Sequence, residues 1–332
     1  MAAVNTVPSH FVRLCDRLRG LGIRDRLAIC CLMSALVNGE RIAALIDQIA
    51  RDTMACPRCD SRQFSRHGFA NGLQRYRCRV CSKTFNGLTG TPLARLRLKN
   101  KWLNYFECLR DPACTVQRAA DKVGVHANTS FRWRHRFLQW VKFDRPSRLQ
   151  GIVEADEIFL LESQKGVKHL TRTPRKRGGV ATQRGISSEL VNTVVARDRG
   201  GQTIDFIAGR GALTAEALHR DLLPKLQTDV IMVSDANAAY RKFASESGIV
   251  HENIKLRRDV RLHSSSKVDV GQPIHLQNVG AYHDRFISWL RHFNGVATRY
   301  LDNYLGWQWA IDLDRLANAE HFLRAALRVP GR

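Results

Sequence analysis

Residues 151–162 read Gly-Ile-Val-Glu-Ala-Asp-Glu-Ile-Phe-Leu-Leu-Glu. Three carboxylates, Glu154, Asp156 and Glu157, are set in an apolar, β-branched run that predicts a buried strand. A charge in such a strand is costly unless something pairs with it. Side chains alternate along a strand, so Glu154 and Asp156 share one face and Glu157 points the other way. A divalent cation held by oxygen ligands would supply the compensation. The bland alternative is an edge strand with one solvated face. A second carboxylate of the same kind, Asp235, ends the apolar run Asp229-Val-Ile-Met-Val-Ser234, immediately before a helix that opens at Ala-Asn-Ala-Ala-Tyr240. The carboxyl end of a buried strand is a frequent site position in α/β sheets, although an aspartate there can also be only a helix cap.

A different chemistry is written in the cysteines. All nine precede residue 115. Cys56-Pro-Arg-Cys59 and Cys78-Arg-Val-Cys81 are two knuckles separated by eighteen residues. That spacing predicts a tetrahedral four-thiolate Zn²⁺ site on a ribbon, structural because no coordination position is left open. The stretches from Gln63 and from Gln74, between the knuckles, predict hairpin strands, and Arg58, Arg62, Arg66, Arg75, Arg77, Arg79 and Lys83 make the unit basic.

The whole chain is basic too. Its 332 residues carry a formal charge of +23 and a pI near 10.4, which points to a polyanion, most simply nucleic acid. The N-terminus lacks a signal peptide's basic start and apolar core. No apolar run reaches the ~20 residues that cross a bilayer. The expectation from these features is a cytoplasmic protein with nucleic acid as partner and no membrane.

The elements that must position these groups follow from periodicity. Apolar residues at helical spacing fill much of 8–51. Residues 100–143 predict a helix-turn-helix, with Thr115 as N-cap, Gly124 in the turn and Arg132, Arg134 and Arg136 on the last helix, where a recognition helix would read DNA. The acid-free stretch 163–185, with Arg175, Lys176 and Arg177, predicts a basic loop beside the carboxylate strand that holds DNA near it. A strand with Asp156, a hairpin over 189–208, a helix, a strand ending at Asp235, a helix and a late helix over about 279–293 is the element order of an RNase H-like α/β fold. Two aspartates on neighbouring strands of that fold can bind two divalent ions roughly 3.5–4 Å apart for in-line phosphoryl transfer. The predicted organisation is a helical segment 1–52, a zinc ribbon 53–88, a helix-turn-helix-like region 98–145, an RNase H-like domain 150–310 (a mixed sheet flanked by helices) and a C-terminal helix within 311–332.

The ribbon, Glu-Ala-Asp-Glu (154–157), Ser-Asp-Ala (234–236), His-Leu-Gln-Asn-Val (275–279) and Gly-Val-Ala-Thr-Arg-Tyr-Leu-Asp-Asn-Tyr-Leu-Gly-Trp (295–307) together resemble the ISXO-like insertion-sequence transposases, over about residues 50–310. The resemblance implies a prokaryotic, nucleoid-associated enzyme that binds the ends of its element on double-stranded DNA as a multimer and uses two magnesium ions to cut and join that DNA, with Asp156 and Asp235 as the first two members of its triad. The family places a triad Asn, and a Lys seven residues later, where this chain has Gly280 and Ile287. Neither can bind metal or phosphate through a side chain. Asn278, His283 and Asp284 are the candidates for the third position. The departure leaves open an impaired enzyme, or a DNA-binding relic or repressor with a decayed catalytic domain.

Overall fold

The computed structural model describes residues 9–52, 55–141, 145–146, 148–176, 179–254, 274–316 and 318–327, in two units, Met1–Cys108 and Leu109–Gly331. The first unit opens with helices α1 (Ser9–Arg19) and α2 (Ile23–Asp52) and continues into a three-stranded antiparallel sheet, β1 (Phe64–Ala70), β2 (Leu73–Cys78) and β3 (Thr84–Phe85). Asn71 and Gly72 both take positive φ between the paired residues Ala70 and Leu73. This is the two-residue turn whose twist suits a hairpin, and Asn-Gly is the pair that adopts it most readily. Phe64, Tyr76 and Phe85 form the small aromatic core at centroid distances of 5.5–5.7 Å.

By length and composition α2 is, among the described residues, a helix long and apolar enough to cross a membrane. Counting unbroken apolar residues misses it, because Ser34, Asn38 and Gly39 interrupt the run. Its C-terminal half buries Ile42, Leu45, Ile46 and Ile49 within the unit, and the Tyr76 hydroxyl donates to Asp47. Helix α3 (Trp102–Arg110) spans the division between the units.

In the second unit, α4 (Val116–Val123) and α5 (Ala127–Leu138) make the helix-turn-helix. The Thr115 hydroxyl accepts from Arg118 N, and Gly124 turns the chain at φ +66. A five-stranded sheet follows: β4 (Ile152–Leu161), β5 (Leu190–Asp198) and β6 (Thr203–Arg210), then helix α6 (Ala215–Asp221), β7 (Ile231–Asp235), α7 (Ala238–Ser247) and β8 (Val250–Ile254). The spatial order is β6-β5-β4-β7-β8, with the first three antiparallel and β7 and β8 parallel to β4. Three antiparallel strands extended by two parallel ones beside the first are the RNase H-like sheet. Helices α8 (Gln277–Arg291), α9 (Leu301–Asp312) and α10 (Ala319–Leu327) complete the unit.

Alternation along the strands divides the sheet's two faces. Val153, Ala155, Val194, Ala196 and Met232 pack with Leu218, Tyr240 and Phe243 of α6 and α7. On the other face Val195 meets Val279 and Tyr282 of α8. The aromatic block at 295–307, which the sequence leaves without a structural role, enters α9, nine of whose twelve residues are buried.

That helix joins the helix-turn-helix to the sheet. Trp307 Nε1 donates to Leu109 O at 2.8 Å and Trp289 Nε1 to Pro112 O at 2.7 Å. Arg134, expected to reach DNA, is fully buried instead. Its guanidinium lies 5.0 Å from the Trp307 ring centroid and 5.6 Å from that of Phe293, and donates to Cys114 O at 2.6 Å. The reason is helical phase: Arg134 falls on the stripe of Ser130, Trp133, Phe137 and Leu138, and its delocalised, weakly hydrated head stacks on aromatic faces. Arg132 remains exposed. Replacing Arg134 by Ala removes both the packing and the hydrogen bond and is expected to cost about 2–4 kcal/mol in denaturant unfolding. Arg132→Ala is expected to stay within about 0.5 kcal/mol.

Candidate active site and metal centres

On β4 and β7 the register pairs Ile152 with Ile231, Val153 with Met232 and Glu154 with Val233. Continued by two residues, the same offset sets Asp156 beside Asp235. Asp156 and Glu154 face α8, while Glu157 faces α7, where Asn237 Nδ2 donates to its Oε1 at 2.7 Å. Asp235 Oδ1 accepts from Asn237 N at 3.0 Å, and Asn237 is itself the cap of α7, accepting from Ala239 N. The helix start is therefore organised by Asn237, which leaves Asp235 with a free carboxylate edge.

The electrostatics of this corner are strained. Among the described residues no lysine or arginine pairs with Asp156, Glu157 or Asp235. Burial, then the charges of Glu157 and Asp235, push Asp156 up to about 6. Burial and Asp235 also raise Glu157. Carboxylates held together without a cation are a fitting donor set for a hard divalent ion.

The three candidates for the third position part company. Asn278 turns to Glu154: its Nδ2 donates to Oε1 at 2.8 Å, and its backbone N and that of Val279 donate to Oε2 at 2.9 and 3.1 Å. Its amide is committed to anchoring the start of α8 rather than to Asp156. Asp284 is exposed, one residue and about 100° of helix rotation past the buried face. His283 lies on that buried face, with Nδ1 3.6 Å from Asp156 Oδ2. Burial lowers it to about 4, so its imidazole is neutral near pH 7, and its buried Nε2 has no hydrogen-bond partner. A neutral imidazole with an orphaned nitrogen is a ready metal ligand. Gly280 precedes it by one turn, and a Cβ there would meet nothing within 4 Å. The side-chain atoms of Asp156, Asp235 and His283 do not converge as the cysteines do: among the described residues the group of three or more donors within 4.8 Å of one another is Cys56, Cys59, Cys78 and Cys81.

In that cluster Cys56 Sγ lies 3.6 Å from Cys81 Sγ, and Cys59 Sγ 3.6 Å from Cys78 Sγ. A tetrahedron with metal–sulfur bonds of about 2.3 Å has edges of about 3.8 Å, so the four sulfurs can hold a metal ion. The residues after each knuckle, Asp60 and Ser82, both take positive φ, so the two turns share one geometry. Backbone N–H groups of Cys81 and Val80 lower Cys78 to about 6, favouring thiolate.

The basic loop after β4 is folded back by Glu162, a buried carboxylate with no role in the sequence reading. It accepts from Arg172 at 2.9 Å and Arg210 at 2.8 Å. Arg175, expected on DNA, pairs with Glu189 at 2.8 Å and donates to Glu162 O at 2.7 Å. It holds the loop's own backbone, because acids at both ends of the loop lie within its reach. Lys176 is exposed, Arg136 is half-buried, and Arg177 lies outside the described residues.

The raised Asp156 has a consequence for stability. Its folded value near 6 lies above the ordinary aspartate value, so ionisation disfavours the fold, fully above pH 6 and not at all below about 4. In buffer without added divalent cations, Asp156→Asn is expected to stabilise the protein by about 1–2 kcal/mol at about pH 8, allowing for solvent screening of this partly exposed group. The gain should shrink through pH 6 and vanish below about pH 4 in denaturant titrations.

No family model matches the chain. An uncharacterized protein in transposable element ISH50 of Halobacterium salinarum is 26% identical to it over 277 residues, covering 82% of this chain and 90% of the relative. A pre-cleavage Mos1 transpososome overlaps 68% of this chain and 78% of that one at 15% identity and a TM-score of 0.22. The Mos1 strand transfer complex overlaps 65% and 76% at 15% identity and a TM-score of 0.19. Strand order, not these overlaps, fixes the fold. The likeness to a protein of a transposable element extends over most of both chains.

Proposed function

We propose that the protein is an insertion-sequence transposase that binds the ends of its element and catalyses Mg²⁺-dependent DNA cleavage and strand transfer. The observation that carries the reading is the parallel β4–β7 register, which pairs Glu154 with Val233 and, continued by two residues, sets Asp156 beside Asp235, in a corner without a cationic partner among the described residues. Two divalent ions bound there would activate the attacking oxygen and stabilise the leaving one. The chain's own part is to fix the donors. Adjacent strands hold Asp156 and Asp235, Asn237 orients Asp235, and α8 brings the neutral His283 to Asp156 as the third donor. The exposed Arg132 and Lys176 are placed to meet phosphates, with Asn128 and Arg132 on the open face of α5 toward a DNA groove. In the other unit the four cysteines hold a structural Zn²⁺. A homo-oligomer on paired element ends is part of the same proposal, as is a place at the nucleoid.

Purified protein is expected to nick duplexes carrying the repeats that flank its gene in Mg²⁺ or Mn²⁺. Cleavage should fall at least a thousandfold in Asp156→Ala and in Asp235→Ala, and about ten- to a hundredfold in His283→Ala. Binding without nicking by the wild type in either ion would defeat the enzyme reading.

The second reading is a DNA-binding relic or repressor, and Gly280 favours it, since it leaves empty the place where the family carries an amide. The open space there accepts Gly280→Asn without a clash. Nicking by Gly280→Asn but never by the wild type would establish the relic.

Elemental analysis is expected to find one zinc per chain, lost in Cys78→Ser. Stripping it by a chelator should unfold the ribbon, seen as loss of amide-exchange protection over 56–85.

A further inference from the structure

A cavity of about 240 Å³ opens farther along β4 and α8 from the carboxylates. Leu160 and Leu161 wall it from β4, Ile287 and Leu290 from α8, and Thr298 and Arg291 supply polar groups. Leu160 is four residues beyond Asp156 on the same strand, about 13 Å at 3.3 Å per residue. Ile287 is four beyond His283 on the same helix face, about 6 Å at 1.5 Å per residue. The distance from the carboxylates thus corresponds to about two to four nucleotides of one strand at 3.4 Å each. An apolar cavity of about 150 Å³ holds one benzene ring, so this one has room for a pyrimidine or a purine.

What surrounds the cavity is equally specific. Thr298 and Leu301 line it, and between them the chain presents Arg299 and Tyr300. The Arg299 guanidinium lies 4.9 Å from the Tyr300 ring centroid. Tyr300 stacks on His135 at 3.7 Å, and the exposed Phe131 meets Tyr300 edge-on at 5.6 Å. The exposed Lys165 and Lys168 follow Ser163, which also lines the cavity, and no carboxylate belongs to the lining. Aromatic faces interleaved with cations are how proteins hold unpaired nucleic-acid strands, and an apolar slot beside a reacting centre is how they hold an extruded base.

We propose that this cavity receives one unstacked nucleobase of the DNA strand that passes Asp156 and Asp235, with Arg299, Tyr300 and Phe131 carrying the same strand onward toward α5. The inference rests on the DNA-cutting function proposed above and adds a second recognition element to it. Unstacking costs least at a mismatch or an already open end, so the cavity favours ends that are frayed or nicked.

The test uses the full chain and duplexes carrying the gene's flanking terminal repeat, with 2-aminopurine placed singly at each of the four nucleotides on either side of the cleaved bond. The fluorescence of one position, and not its neighbours, is expected to rise severalfold on binding. Filling the cavity by Ile287→Trp should abolish that rise and slow cleavage at least tenfold. An abasic nucleotide at the same position should restore cleavage by Ile287→Trp to within about threefold of the wild type. Leu161→Trp, which enters from β4, should behave alike and guards against a folding defect in one variant. Bound and cleaved DNA with no local fluorescence rise, or a rise that both variants retain, would overturn the base pocket while leaving the transposase reading intact. Failure of the wild type to bind the repeat at all would overturn both.

Discussion

One buried carboxylate determines how the site is assembled. Glu154 is wholly removed from solvent, where an unpaired charge would cost several kcal/mol. The N-terminus of α8 answers it. The backbone N–H groups of Asn278 and Val279 and the Asn278 amide donate to its two oxygens. The positive end of the helix dipole faces the negative charge. Arg199 at 3.2 Å and His275 at 3.4 Å close the remaining side. A helix more than a hundred residues downstream is thereby tied to the middle of β4. Once α8 begins at Glu154, its turn and rise put His283 over Asp156 and Ile287 beside Leu160. A shift of one residue in that anchor would rotate His283 by about 100° and take it away from the carboxylates.

The contrast between Glu154 and Asp156 shows what the fold has and has not neutralised. They lie two residues apart on one face, yet among the described residues Glu154 meets five groups from four residues, whereas Asp156 meets the backbone amide of Glu157 at 2.9 Å and a neutral imidazole. Across the sheet Glu157 has Asn237. The protein thus satisfies Glu154 and leaves Asp156, Asp235 and one edge of Glu157, whose buried Oε2 has no hydrogen-bond partner, for something it does not itself supply. A stability-driven sequence would have paired or removed such charges. Buried charge left unpaired in this way is the pattern expected where binding, rather than folding, sets the residue type.

The backbone was more legible in the sequence than the partners of its side chains. Strict alternation around Val153 to Asp156 and around Val194 to Ala196 is readable because its period is two, and it sorts residues to faces without knowledge of what covers them. The Asn71-Gly72 turn and the knuckle spacing are equally local signals. Three long or amide side chains have partners that the sequence does not announce, because their fate depends on distant residues. Arg134 looks like its exposed neighbour Arg132 until Trp307 and Phe293 are placed around it. Arg175 reads as a phosphate contact until Glu189 comes within 2.8 Å of it. Asn278 reads as a candidate ligand until the start of α8 meets Glu154. Charge type in a sequence reports what a group can bind; only the packing of remote elements decides which partner it has. The membrane-length character of α2 escaped for the opposite reason, since its apolar residues are scattered among small polar ones rather than contiguous.

The burial of Arg134 also changes how the DNA-binding and cutting parts relate under the proposed function. A recognition helix on a flexible tether would let the cleavage position wander relative to the sequence being read. Here α5 packs against α9 through Arg134 over the Trp307 ring and His135 against Asn303 and Tyr304. The indole N–H groups of Trp289 and Trp307 hold the chain at Pro112 and Leu109, just before α4. Each of these contacts lies within the same unit as Asp156 and Asp235. Under that function, whatever DNA register α5 selected would be transmitted to the carboxylates through packed aromatic side chains. The distance from recognised sequence to cut bond is then a property of the core, with α9 as the part that sets it.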